Sequence, residues 1–74
     1  MNASQCKMAR VGLGLGVREL AALADVSTNT ITRFERGEVL YPRTVEAIRS
    51  ALEAEGVEFI AENGGGVGVR LRKE

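Results

Sequence analysis

The feature that most constrains this chain is a break of three residues, Asp25-Val26-Ser27, between two short stretches whose apolar residues recur at helical spacing. Upstream, Val17, Leu20, Ala21 and Ala24 share one face of a helix predicted over 17–24, with Arg18, Glu19 and Ala22 turned away. Downstream, Ile31 and Phe34 share one side of a helix predicted over 28–36, and Gly37 stands where a glycine commonly closes a helix. Asp25 is a turn residue that tolerates unusual backbone angles, and Ser27 is a favoured N-cap for a helix opening at Thr28. The spacing therefore predicts two short helices held together by a tight turn.

The rest of the chain is arranged around that unit. A first helix is predicted from Ser4 to Val11, stopped by the alternating glycines Gly12, Gly14 and Gly16. Beyond the loop Glu38 to Tyr41, Pro42 suits a helix start, and Val45, Ile48, Ala51 and Leu52 give an apolar stripe that ends near Gly56. Val57 to Ile60 and Val67 to Leu71 are strand candidates separated by the turn-rich run Glu62-Asn63-Gly64-Gly65-Gly66, which reads as a hairpin or as two extended arms. The expected architecture is mainly α, with residues 1–56 as the helical unit and residues 57–74 as a C-terminal β extension.

Seventy-four residues predict one compact domain with a modest core. With no tryptophan, and with Phe34, Phe59 and Tyr41 as the aromatic residues, that core must be built from Leu, Val, Ile and Ala. No apolar run approaches the roughly 20 residues of a membrane span, and no secretory leader is legible, so a cytoplasmic location is expected. Cys6 is the single cysteine and histidine is absent, which removes an internal disulfide and the usual zinc and general-base sets. The glycines at 12, 14 and 16 follow no strand and precede no Gly-Lys-Ser/Thr sequence, and Glu53, Glu55, Glu58 and Glu62 read as solvated surface acids. No catalytic set and no cofactor are therefore expected.

Formal net charge is zero, but it is unevenly placed. Residues 1–50 carry seven basic side chains against five acids, whereas residues 51–74 carry three against five. Attraction to phosphate is thus expected of the N-terminal part. On a wheel of roughly 100° per residue, Thr28, Asn29, Thr32, Arg33 and Arg36 fill one arc of about 140° that carries no acid. A helix with such a face, set against a partner helix by a tight turn, has the form that enters the major groove of DNA.

The run from Val17 through Leu20-Ala21, Val26-Ser27 and Ile31 to Glu35-Arg36-Gly37 resembles the helix-turn-helix of the lambdoid phage repressor and Cro family, also called XRE, over roughly residues 7–54. The resemblance implies a four- to five-helix lambda-repressor-like DNA-binding fold, with the helix at 28–36 as the recognition helix. Thr28, Asn29, Thr32 and Arg33 then stand where base contacts are made. Their chemistry fits: Asn matches the major-groove edge of adenine, the Arg fork matches guanine, and threonine can meet a thymine methyl. Lys7, Arg18, Ser27, Arg36 and Arg43 are candidate phosphate contacts, and the resemblance implies a structural ion pair between Arg10 and Glu35. Three departures stand out: Val17 replaces a phosphate-gripping glutamine, Asp25 replaces a turn glycine, and the loop Glu38-Val39-Leu40-Tyr41 is acidic and apolar where many relatives are basic.

Family members usually pair across half-sites about 34 Å apart, so double-stranded DNA and a second copy of the chain are the expected partners. Dimer contacts are expected at Phe59, Ile60, Val67, Val69 and Leu71, through a sheet shared between chains; the alternative is a hairpin within one chain covering the fourth helix. The function implied is a transcriptional regulator, repressor or activator, of a bacterial or phage gene. The alternative is a protein-interaction module, anti-activator or antitoxin-like, favoured by the zero net charge, Val17 and the acidic loop.

Overall fold

The computed structural model describes residues 1–61 and 65–72, so most of the expected turn at Glu62-Asn63-Gly64 lies outside the described residues, as do Lys73 and Glu74. Four helices, α1 (Ala3–Gly12), α2 (Val17–Ala24), α3 (Thr28–Glu35) and α4 (Pro42–Ala54), precede a hairpin of β1 (Val57–Ile60) and β2 (Gly68–Leu71). The fold is mainly helical with a C-terminal hairpin, as the sequence implies. None of the described helices is long and apolar enough to cross a membrane.

Helix α1 extends one residue beyond the expected Ser4 to Val11 at each end. Its start is set by a reciprocal cap, in which Asn2 Oδ1 accepts from the Gln5 backbone N–H at 2.8 Å and Gln5 Oε1 accepts from the Asn2 N–H at 2.9 Å. Gly12 remains helical, and the turn falls instead at Gly14, whose φ of 72° is open to glycine at little cost. At the other end of the unit α3 finishes at Glu35, one residue short of Arg36, and Gly37 reverses the chain at φ 95°. Strand β2 begins at Gly68, one residue beyond Val67.

The core gathers one stripe from each helix. Cys6 and Ala9 of α1, Leu20, Ala21 and Ala24 of α2, Ile31 and Phe34 of α3, and Ile48 and Leu52 of α4 are buried together with Val57 at the head of β1. Each fully buried Leu or Ile here contributes about 1.5–3 kcal/mol of transfer free energy, the leading favourable term in a domain this small.

The two strands pair with each other inside the chain, antiparallel, from Val57 opposite Leu71 to Ile60 opposite Gly68. The alternative reading of an internal hairpin is thus the observed one, though the hairpin does not simply cover α4. β2 lies along α1 while β1 lies along α4, where the Arg49 guanidinium sits 5.4 Å from the Phe59 ring centre. Of the five side chains expected at a dimer contact, Phe59 and Val69 pack against the chain's own core. Leu71 is exposed at 42 % and rests near Gly12. The hairpin is fixed from the side by Gln5, whose buried Nε2 donates to the carbonyls of both Ile60 (3.1 Å) and Gly68 (3.0 Å).

Candidate nucleic-acid interface

Helix α3 is locked to the body by Ile31 and Phe34, so its remaining face is turned outward by default. Its angle to α2 is set by the turn between them. Asp25 closes α2 in the left-handed region (φ 56°, ψ 47°), which an Asp adopts more readily than most side chains because its short carboxylate can bond locally. Val26 follows, partly buried against the core, and Ser27 then caps α3, its Oγ accepting from the Thr30 N–H at 3.1 Å and meeting Thr30 Oγ1 at 2.8 Å. The Ser27 hydroxyl is therefore engaged in opening the helix as well as standing at the surface.

Thr28, Asn29 and Thr32 are exposed on the outward face, and Arg33 is half-exposed beside them. Thr32 Oγ1 donates to the Thr28 carbonyl at 3.1 Å, which spends its proton on the backbone and leaves its methyl and lone pairs outward. Arg33 is held by its Nε, 2.9 Å from Glu38 Oε1, and Arg36 Nη2 lies 3.0 Å from Glu38 Oε2. One carboxylate thus serves two of the expected DNA-contacting arginines, one oxygen to each. The hydrogen bond from Arg33, followed by the charges of Arg33 and Arg36, holds the Glu38 carboxyl below its ordinary range. A shallow groove beside this cluster is lined by Thr30, Arg33, Leu40 and Thr44, with Val39 and Tyr41 at its rim.

The candidate phosphate contacts are dispersed. Arg18 is exposed on the first turn of α2 and Arg43 on the first turn of α4. Lys7 is exposed on α1 among Ser4, Met8 and Val11, and no hydrogen bond to a described residue ties it to α3. Val17, which stands where a phosphate-gripping side chain is expected, is partly buried against the core, and packing accounts for its apolar character.

Beneath the outward face, Arg10 and Glu35 form a two-pronged ion pair, Nε to Oε2 at 2.8 Å and Nη2 to Oε1 at 2.9 Å, and Arg10 Nη1 also donates to the Leu15 carbonyl at 3.1 Å. The hydrogen bond to Glu35 raises the Arg10 pKa further above its ordinary value. Cys6 Sγ approaches Glu35 Oε2 at 3.5 Å, and burial, followed by the Glu35 charge, pushes its thiol up to about 12. Cys6 is a buried, inert thiol packed into the core.

Two residues of this arrangement escape the sequence patterns. Glu38 lies five positions after Arg33 across the Gly37 reversal, outside the three- and four-residue spacings that flag helical ion pairs. Gln5 is polar on an otherwise apolar face; the Asn2-x-x-Gln5 spacing of a capping box was the available signal for its role in the cap, though not for its reach to the hairpin.

Two short helices joined at a three-residue turn, the second with its polar face outward, define a helix-turn-helix domain. The chain belongs to the helix-turn-helix domain family, which matches residues 3–59, within the XRE-like group. Domains of this family bind DNA and are typically not enzymes. Comparison with curated proteins returns no match.

Proposed function

We propose that this protein is a sequence-specific transcriptional regulator that inserts α3 into the major groove of a palindromic operator as a dimer. The observation that carries the reading is the outward face of α3, where Thr28, Asn29, Thr32 and Arg33 stand side by side with no acid on the helix face itself. Asn29 supplies the donor and acceptor that pair with adenine, and Arg33 supplies the fork for guanine. Arg36, Arg43, Arg18 and Ser27 supply groups suited to phosphate, which would add affinity and set register without reading sequence. Lys7, exposed on α1, is the remaining candidate.

Dimerisation is part of the same reading, because one recognition helix reads only a few base pairs. The outer edges of the hairpin are the surfaces available for it, with Ile60, Val67 and Leu71 beside them and Phe59 and Val69 stiffening the strands from within.

The test is a selection from random duplex DNA, followed by titration of the enriched sequence at two salt concentrations with wild type and Arg33→Ala. A palindrome whose enrichment depends on Arg33 supports the dimeric regulator. Absence of any enriched sequence, with weak binding even at low salt, removes it.

A second reading, a module that binds another protein, is favoured by one observation. Val39 and Tyr41 are 93 % and 75 % exposed at the rim of the groove beside α3, an unusual display of apolar surface next to a DNA-reading helix. Binding that shows little dependence on salt distinguishes it.

A further inference from the structure

The pairing of Glu38 with Arg33 leads beyond the general DNA-binding reading, on which it rests. An arginine fork has five donors on a rigid plane at the end of a flexible stem, and reading guanine requires two of them to be presented together. Free in solvent, that stem samples many rotamers, and ordering it opposes binding. Here the fork is held from behind. Glu38 Oε1 takes Arg33 Nε at 2.9 Å, and the Glu38 backbone N–H donates to the Arg33 carbonyl at 3.1 Å, so the acid is fixed relative to Arg33 at both ends. The Nη1 and Nη2 edge of Arg33 makes no hydrogen bond to a described residue and is left for a base. The other carboxylate oxygen holds Arg36, which Arg36 must leave, or share, to meet a phosphate.

We propose that Glu38 is a positioning residue for base reading: it clamps Arg33 by Nε so that the terminal edge of the fork is presented to guanine, and it restrains Arg36 from binding phosphate indiscriminately. Both effects act in one direction. An acid beside the DNA-facing surface weakens attraction to any duplex, while a preset Arg33 sharpens preference for the right one. An exposed ion pair contributes little to stability, so its consequence is expected in recognition rather than in folding.

The experiment is a cycle of wild type, Glu38→Ala, Arg33→Ala and the double variant, titrated against the selected duplex, against the same duplex with the Arg33-dependent G·C pair changed to A·T, and against a random duplex. Glu38→Gln, which keeps the shape and removes the charge, is run beside them, and circular dichroism confirms that each variant is folded. The expected result is that Glu38→Ala and Glu38→Gln lower guanine discrimination at least fivefold while binding to random duplex rises and its salt dependence steepens by about one phosphate. In the Arg33→Ala background, removing Glu38 leaves discrimination where it was. Full discrimination retained by Glu38→Ala overturns this assignment alone, as does an equal loss with and without Arg33. A wild-type protein that selects no sequence overturns the assignment together with the DNA reading beneath it.

Discussion

Arg10 grips Glu35 with two parallel hydrogen bonds between α1 and α3, their side chains only 13 % and 10 % exposed. Removing either partner leaves the other charge desolvated and alone. Arg10→Ala or Glu35→Ala is therefore expected to cost about 3 kcal/mol, and the joint replacement Arg10→Met with Glu35→Leu to recover most of it. Urea unfolding midpoints of the three variants measure this; a single variant within about 0.5 kcal/mol of wild type would contradict the role assigned to the pair.

Asp25 sits at φ 56°, a conformation that costs an ordinary side chain about 1 kcal/mol. Asp25→Gly should match or exceed wild-type stability, and Asp25→Ala should lose about 1 kcal/mol, because alanine has neither freedom at positive φ nor a carboxylate to bond locally. Thermal unfolding orders the three, and an alanine variant as stable as the glycine variant would exclude backbone strain at this turn.

Cys6 reports on the core. With its thiol pushed up to about 12, almost none is thiolate near neutrality, and the group is fully buried. Alkylation by iodoacetamide at pH 8 is expected to run at least about 100-fold slower than for a cysteine in an unfolded peptide, and to accelerate with denaturant as the fold opens. The same shift gives a pH dependence. A folded-state value above the unfolded one favours the fold fully below the unfolded thiol value near 9, and that contribution is lost as pH rises toward 12. Cys6→Ala should lack this alkaline decline.

The Glu38 carboxyl is held low chiefly by the hydrogen bond from Arg33. A depressed carboxylate keeps its interactions above its unfolded value, about 4.3, and releases them as pH falls through the folded value. The clamp on Arg33 is thus intact through the neutral range and opens only in acid. In an NMR titration the Glu38 side chain should show a midpoint below that of an ordinary glutamate and move upward in Arg33→Ala; an unchanged midpoint in that variant would mean that Arg33 is not its main partner.

Arg43 on the first turn of α4 forms no ion pair with a described residue. If it meets phosphate, Arg43→Ala weakens binding evenly across duplex sequences and lowers the salt slope by about 1. A change confined to one base position would assign it to reading instead.

Helices α2 and α4 were legible because both their ends carry punctuation that acts locally: Gly16 before Val17, Asp25 after Ala24, Pro42 at the first turn and Gly56 beyond the last. Helix α1 begins one residue before the expected Ser4, because what opens it is a polar exchange between Asn2 and Gln5. The face of α3 could be read from a wheel, since burial of Ile31 and Phe34 decides where the other side chains point. The clamp at Glu38 could not, as it depends on the chain reversing at Gly37 and returning one acid to the helix it has just left. Pairing of the strands was beyond sequence for a similar reason. Period and turn composition are the same whether a strand meets its own chain or another, and the tie that settles β2 against α1 comes from Gln5, more than 50 positions away.

That single amide has a consequence for how the domain comes apart. Because Gln5 reaches both Ile60 and Gly68, the start of the first helix is tied to the turn end of the hairpin, and loosening one frees a hydrogen-bond partner of the other. Trimming the hairpin to isolate the four helices would remove Val57 from the core beside Leu52, orphan a buried side-chain donor and loosen α1 in the same stroke. Helix α3, though it lies in the middle of the sequence, depends for its footing on both margins of the chain.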